Sequence, residues 1–524
     1  MSFLKLRKKR STLSPSLHFV LLVAILIAGC GGGASNVSGG VPTTTPAASA
    51  PTAQLTASPA SISRGQSSTL TWSTTNATTV TIDRGIGSVA ASGSTTVSPL
   101  TTTTYTLTAT GMGGNATASA TVTVTAPGGM ASIKHIIFML QENRSFDSYF
   151  GQMGAYRSAR GFNDAFDGLP SNVSLKDLAG HPVSPFHFTT VCHDNLSPAW
   201  NESHYDVDKG KMDNFMKTAN SVPSTNDPDG TRAMGYYDST DLPYYYELAF
   251  QYATSDRFFS SVLTDTLPNR MYMFTGTSFG HIRPQDVPPP GGWTQPTIFD
   301  ALRAAKVSWR YYFQDNSVFL ADFSSFPTLQ GSVFGVDHFF QDIQSDPTLA
   351  QVVFIERAGR IGLDEHPSNN IQKGAADVAN IINAWMNSPT YQDSVFILAY
   401  DEGGGMYDHV PPVKLAVPDN IPPMLRPGDL PGAFDTSGFR VPLIVISPFT
   451  KPHFVSHTPR DFGSILKLIE TRYGVPALTQ RDAKADDMNE FFNFAAPQIP
   501  APPPLPAQPT DGVCDPTQGK APGH

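Results

Sequence analysis

Two apolar runs in this chain each end in side chains that could hold a cation. Residues 394–400 (Ser-Val-Phe-Ile-Leu-Ala-Tyr) are apolar, β-branched and aromatic, and predict a buried strand. That strand runs into Asp401 and Glu402, then Gly403, Gly404 and Gly405, and Asp408 and His409 follow. Buried carboxylates without a partner are costly, so such a pair calls for a cation or a proton. Taken alone, the stretch would equally suit a strand ending in a solvated acidic turn. A second apolar run, 133–140, ends in Gln141, Glu142, Asn143 and Arg144. Carboxylate and amide oxygens are hard donors suited to a divalent ion, and Ca, Mg, Mn or Zn all remain open.

A nucleophile would complete the set. Thr264-Asp265-Thr266-Leu267-Pro268-Asn269-Arg270 places threonine hydroxyls on a turn fixed by proline. A metal ion can turn such a hydroxyl into a nucleophile, and Asn269 or Arg270 could position a phosphoryl group or hold the turn. Four histidines lie in polar loops: His193, His204, His366 and His409. An alkoxide leaving group needs a general acid, which histidine can supply, and two or three of the four are expected at the site.

The elements that would position these groups alternate. Helices are predicted over 296–305, 371–387 and 460–473, and strands over 133–140, 307–313, 352–355, 394–400 and 441–447. Strands alternating with helices imply a largely parallel sheet covered on both faces, with ligands at the strands' C-terminal ends. The segments 152–240 and 411–438 read as long loops that cover the site.

The 524-residue chain is too long for one ordinary domain. Its formal net charge of −9 and lack of a long basic stripe argue against a nucleic-acid partner. Charged residues make up 15%, below the roughly 25% of typical chains, while 43 Gly and 45 Pro suit a loop-rich extracytoplasmic protein. Lys5, Arg7, Lys8, Lys9 and Arg10 precede a short apolar run at 19–27, which predicts an export signal. The run closes on Ile27-Ala28-Gly29-Cys30, which resembles a bacterial lipobox. It implies loss of the leader, a lipid on Cys30 and a protein anchored at the cell envelope. Residues 31–50 read as a flexible linker. Residues 51–126 are rich in Thr, Ser and Ala with period-two alternation, and resemble an immunoglobulin-like β-sandwich serving as a spacer. Residues 497–524 are Pro-rich and predict an extended or disordered tail. Cys192 and Cys514 are the two cysteines left after Cys30; their count allows a disulfide or two separate thiols.

Together the blocks match a family. From Ala131 to Phe494 the chain resembles the bacterial phosphoesterases, a family of phospholipases C and acid phosphatases in the alkaline-phosphatase-like superfamily. The likeness rests on the block from Glu142 to Asp147 with Tyr149, Phe150 and Gly151; on Thr266 to Arg270; on Asp401 to Gly405 with Asp408, His409, Val410, Pro411 and Pro412; and on Arg440-Val441-Pro442. It implies an α/β three-layer sandwich with a mostly parallel sheet as the catalytic domain at 131–496. It further implies a phosphoester hydrolase with one divalent metal ion held by Glu142, Asn143, Thr266, Asp401 and Glu402. A covalent phospho-enzyme would form on Thr266, with Thr264 as the fallback. His193, His366 and His409 would assist, which of them protonates the leaving group being open, and Asn269, Arg270 and His204 would contact substrate. Phospholipase C-like diester cleavage is the leading expectation, acid phosphatase activity and an inactive surface-binding role the alternatives. Thr266-x-Pro-x-Arg270 also has the spacing of the sulfatase activation motif, but that chemistry needs Cys or Ser at the first position.

Overall fold

The computed structural model describes residues 48–63, 66–99, 101–125, 128–316, 318–345, 347–357 and 359–524. The leader, Cys30 and the linker up to residue 47 lie outside the described residues.

Residues 52–125 form the expected all-β unit. Thr52–Ser58, Ser68–Thr75 and Ser92–Val97 make a three-stranded sheet. Ser61–Ser63, Gly114–Thr125, Thr103–Gly111, Thr79–Ile82 and Gly87–Val89 make a five-stranded one. Alternation explains it: in Ser68–Thr75 the side chains of Leu70 and Trp72 turn inward while Thr69, Thr71 and Ser73 face solvent or the rim. Leu55, Leu70, Trp72, Ile82, Leu107 and Val122 form a core of their own.

The larger unit is built on an eight-stranded sheet. Its spatial order is Val333–Gly335, Trp309–Phe313, Val352–Glu356, His135–Gln141, Ser394–Tyr400, Leu443–Ile446, Ala253–Ser255, Phe454–Ser456. Every neighbouring pair is parallel except the two that Leu443–Ile446 makes, so one strand runs against the other seven. The central strands are buried on both faces, which is why they read as unbroken apolar runs. Helices cover them. Ile371–Met386 buries Ala375, Val378, Ile381, Ile382 and Trp385 along one face, and the Asn370 side chain caps its start by accepting from the amides of Gln372 and Lys373. Phe462–Tyr473 is capped by Asp461 and ends at Gly474.

Two expectations change. The segment 152–240 is not one loop: it contains the helices Met153–Ser158, Trp200–Val207 and Phe215–Thr218. None exceeds about two turns, so none leaves a periodic signal long enough to read, yet Trp200, Phe215 and Met216 are buried in the main core. The Pro-rich tail is extended, as expected, but fastened. Val191 N–H donates to Val513 O at 2.8 Å, Gly512 N–H donates to Gln372 Oε1 at 2.9 Å, and Cys514 is disulfide-bonded to Cys192.

Candidate active site

Parallel pairing of Gln141 with Tyr400 sets the residues after both strands side by side. The Asn143 backbone takes a left-handed turn (φ 61°), and its amide donates to Asp401 Oδ1 at 3.2 Å. Glu402 N–H donates to the same oxygen at 2.8 Å, and Gly404 N–H donates to Glu402 Oε2 at 2.5 Å. Gly404 has φ 65°, and a Cβ there would lie 2.3 Å from the Asn143 carbonyl oxygen, so only glycine lets the two strand ends close on each other.

Thr266 opens the ten-residue helix Thr266–Thr275, with Pro268 in its first turn where no backbone donor is missed. The positive end of that helix therefore lies at the hydroxyl. Thr266 Oγ1 donates to Asn143 Oδ1 at 3.4 Å. Thr264 is excluded as the nucleophile, because its buried hydroxyl donates to Ile282 O at 2.7 Å. Asn269 is a staple and no substrate contact. Its Oδ1 accepts from the amides of Ser261 and Val262, its Nδ2 donates to the carbonyls of Val262, Thr264 and Asp265, and it is fully buried.

The acids are under-neutralised. Asp401 Oδ2, Glu402 Oε1 and Asp265 Oδ1 are buried without a hydrogen-bond partner. Burial, with the Glu142 charge adding to it, pushes Asp401 up to about 8. Burial and Asp401 push Glu402 well above the carboxylate range, and burial with Asp286 and Asp401 pushes Asp265 up to about 8. Arg270 is the cation between Glu142 and Asp401, and it is shared. Its Nη2 pairs with Glu142 Oε1 at 2.6 Å, its Nη1 with Glu356, and its Nε lies 3.9 Å from Asp401 Oδ2. Arg270 is thus committed to carboxylates, where the sequence suggested a substrate contact. Asn143, Thr266, Asp401 and Glu402 fit a divalent ion: they are hard oxygen donors, two of them carrying unpartnered buried oxygens. Glu142 is drawn toward Arg270. Among the described residues three groups do bring carboxylate or imidazole atoms within 4.8 Å of one another: Asp147, Asp408 and His409; Asp177, Asp229 and His524; His187, Asp238 and Asp241. Glu142, Asp401 and Glu402 are more loosely gathered than these.

Of the four histidines the structure brings one to Thr266. His366 shares the wall of a cavity of about 380 Å³ with Asn143, Asp265 and Thr266, and also borders a second cavity of about 680 Å³ that holds Glu142 and Arg270. His193 is fully buried and stacked on Phe188, with ring centroids 4.8 Å apart. Its Nδ1–H donates to Asp194 O at 2.9 Å and its Nε2 accepts from Arg144 Nη1 at 2.5 Å. Burial and Arg144 hold its pKa well below the usual value, so it is neutral, and with both nitrogens occupied it has no free N–H to offer a leaving group. His409 is also removed from catalysis. Its Nδ1 lies 2.7 Å from Asp147 Oδ2 and its Nε2 3.1 Å from Asp167 Oδ1. Burial lowers its pKa, but the Asp147 hydrogen bond and charge outweigh that and the net shift is upward. His204 stacks on Trp200, donates from Nδ1 to Trp200 O at 2.7 Å, and lines a different cavity of about 400 Å³ with Val262 and Lys414.

The cavity wall holds residues the sequence reading missed. Asp265 is adjacent to Thr266, and its burial had no local signal. Trp200, Glu202 and Asp429 come from segments read as loops, and Arg283 from a stretch to which no element was assigned. Arg283 and Asp429 form an ion pair across 146 residues, which no local pattern announces.

A parallel-sheet α/β fold with a hydroxyl at a helix N-terminus and oxygen donors at two strand ends defines a hydrolase-type site of the class that acts on phosphorus esters. The Phosphoesterase family profile matches residues 133–476, and the chain belongs to that family. It is a phosphoester hydrolase. Phospholipase C B of Mycobacterium tuberculosis is 31% identical over 441 residues, covering 72% of this chain and 81% of that one. Non-specific phospholipase C3 of Arabidopsis thaliana is 29% identical, covering 73% and 78%. A solved alkaline phosphatase superfamily protein of Vibrio parahaemolyticus overlaps 67% of this chain and 69% of that one at 10% identity, with a TM-score of 0.34. So low a score supports no conclusion, and the fold assignment stands on the strand order above.

Proposed function

We propose that the chain cleaves phosphodiesters of phospholipid headgroups, as a phospholipase C does, through a phosphorylated Thr266. The carrying observation is the meeting, in one cavity wall, of Thr266 at a helix N-terminus, His366, Asn143 and Asp265, whose Oδ1 lacks a partner, with Asp401 bonded to Asn143. The relatives named phospholipase C support the lipid substrate.

Asn143, Asp401, Glu402 and Thr266 would hold one divalent ion, with Glu142 at its edge. Bound there, the ion would lower the Thr266 hydroxyl pKa and offset phosphoryl charge. Thr266 Oγ gives up its proton to solvent and forms the new bond to phosphorus in line with the departing ester oxygen. The helix N-terminus favours the anionic group. His366 gives a proton to the leaving alcohol as the old P–O bond breaks. Water then enters where the alcohol left, gives a proton to His366 and bonds to phosphorus as the phosphorus–Thr266 bond breaks, and Thr266 Oγ takes a proton back from solvent to restore the hydroxyl.

The extracytoplasmic location and the Cys30 lipid anchor belong to this proposal. The Cys192–Cys514 disulfide supports the location, since such bonds persist in oxidising compartments.

The test is hydrolysis of p-nitrophenyl phosphorylcholine and p-nitrophenyl phosphate by wild type and Thr266→Ala, with and without chelator. Diester cleavage lost on mutation and on chelation is the expected result. Cleavage of the monoester alone would make the protein a phosphatase, and full activity in Thr266→Ala would remove the nucleophile.

A further inference from the structure

Ten large apolar side chains are exposed among the described residues, and four of them, Val417, Ile421, Met424 and Leu425, fall in one short run. That run adjoins the wall of the Thr266 cavity through Arg283. Met424 N–H donates to Gly280 O at 2.9 Å, and Arg283, which lines the cavity, donates from Nη1 to Met424 O at 3.2 Å. Val287, in the same segment as Arg283, is also exposed, at 72%. Apolar side chains gathered in this way mark an interaction site, whereas the same residues scattered singly need no explanation.

The charges around the patch form two ion pairs and one carboxylate held by hydrogen bonds. Arg283 pairs with Asp429, and Arg426 pairs with Asp286 at 3.2 Å. Asp419 accepts from Ile421 N–H and from the Thr277 hydroxyl. The patch therefore offers apolar surface with no excess of positive charge, which matches a zwitterionic surface and not an anionic one. The cavity behind it, about 380 Å³ with charged and polar residues in its wall, is at the small end for a ligand pocket and has no room for two acyl chains.

We infer that residues 417–425 together with Val287 seat the protein on a zwitterionic phospholipid surface, so that a headgroup enters the Thr266 cavity while its acyl chains stay in the lipid. The inference rests on the phospholipid reading above and adds the surface that would deliver the substrate.

The test separates the two. Full-length chains carrying Cys30→Ser, to remove any acyl anchor, and Thr266→Ala, to stop turnover, are floated with phosphatidylcholine vesicles. They are compared with the same chains carrying Ile421→Ser, Met424→Ser and Leu425→Ser. The triple change is expected to weaken vesicle binding by about tenfold or more, and Met424→Trp to strengthen it. With Thr266 restored, the triple variant is expected to hydrolyse p-nitrophenyl phosphorylcholine at the wild-type rate, which also reports an intact fold. Equal flotation of parent and triple variant overturns the inference, as does flotation of neither. Flotation that depends on the patch in a protein that cleaves no diester would overturn the phosphodiesterase reading and leave the surface standing.

Discussion

Two clusters of buried acids lie beyond the same pair of central strands, and they are balanced in opposite ways. Asp147 and Asp408 are fully paired: Arg440 Nη2 reaches Asp147 Oδ1 at 2.8 Å and its Nε reaches Asp408 Oδ1 at 2.9 Å, while His409 takes Asp147 Oδ2 at 2.7 Å. No side-chain polar atom of these four residues is buried without a partner. In the other cluster, Asp401, Glu402 and Asp265 each keep one unpartnered buried oxygen. The first cluster has its cations built in. The second has room for one more. Acid content alone does not mark a site. What marks it is charge the chain leaves unmatched, and the tightly gathered Asp147, Asp408 and His409 are a poor metal site because Arg440 already fills the place.

The comparison can be broken first by removing reacting groups. Thr266→Ala and Asp401→Asn are each expected to lower p-nitrophenyl phosphorylcholine hydrolysis by roughly a thousandfold or more. In the presence of chelator Asp401→Asn should melt no lower than wild type, since it removes an unpartnered buried charge. The opposite behaviour is expected of Arg440→Met: it strands two buried carboxylates and should cost about 3–5 kcal/mol in urea unfolding. Equal stability of Arg440→Met and wild type would undo the idea that this cluster is structural.

His366→Ala sharpens the assignment of the proton donor. Its loss should lower cleavage of an alkyl-ester substrate by about a hundredfold or more. In kcat/KM, which reports only the phosphorylation of Thr266, a p-nitrophenyl ester, whose leaving group needs no proton, should lose much less. Similar losses on both substrates would make His366 a binding residue. The smallest effect concerns His409. Its folded pKa is raised, so its contribution to stability is complete below its unfolded pKa of about 6.5 and is lost as pH rises through the folded value. The gap in urea midpoint between wild type and His409→Asn should therefore narrow as pH rises above about 6.5. A gap that widens would show that the imidazolium is not what the cluster uses.

The central strands, the helices Ile371–Met386 and Phe462–Tyr473, and the two strand-end acid pairs were legible because each depends on local apolar pattern. The roles of individual polar residues were less so. His193 and His409 lie in polar stretches like that of His366, and what separates them is the partner each meets: Arg144 lies 49 residues from His193, and Asp147 lies 262 from His409. Asn269 is different. Its partners are 4 to 8 residues away, and an amide just inside a helix that follows a tight turn is a local capping signal that could have been weighed. Trp200, Arg283 and Asp429 were hidden because short helices and strapped loops leave no period to detect.

The most direct measurement is the metal content of wild type, Asp401→Asn and Asp408→Asn, taken by mass spectrometry on the folded fraction of each after dialysis. The unmatched-charge account predicts about one divalent ion per chain in wild type and in Asp408→Asn, and none in Asp401→Asn. An ion retained by Asp401→Asn and lost from Asp408→Asn would place the metal in the cluster this account calls structural, and would contradict it.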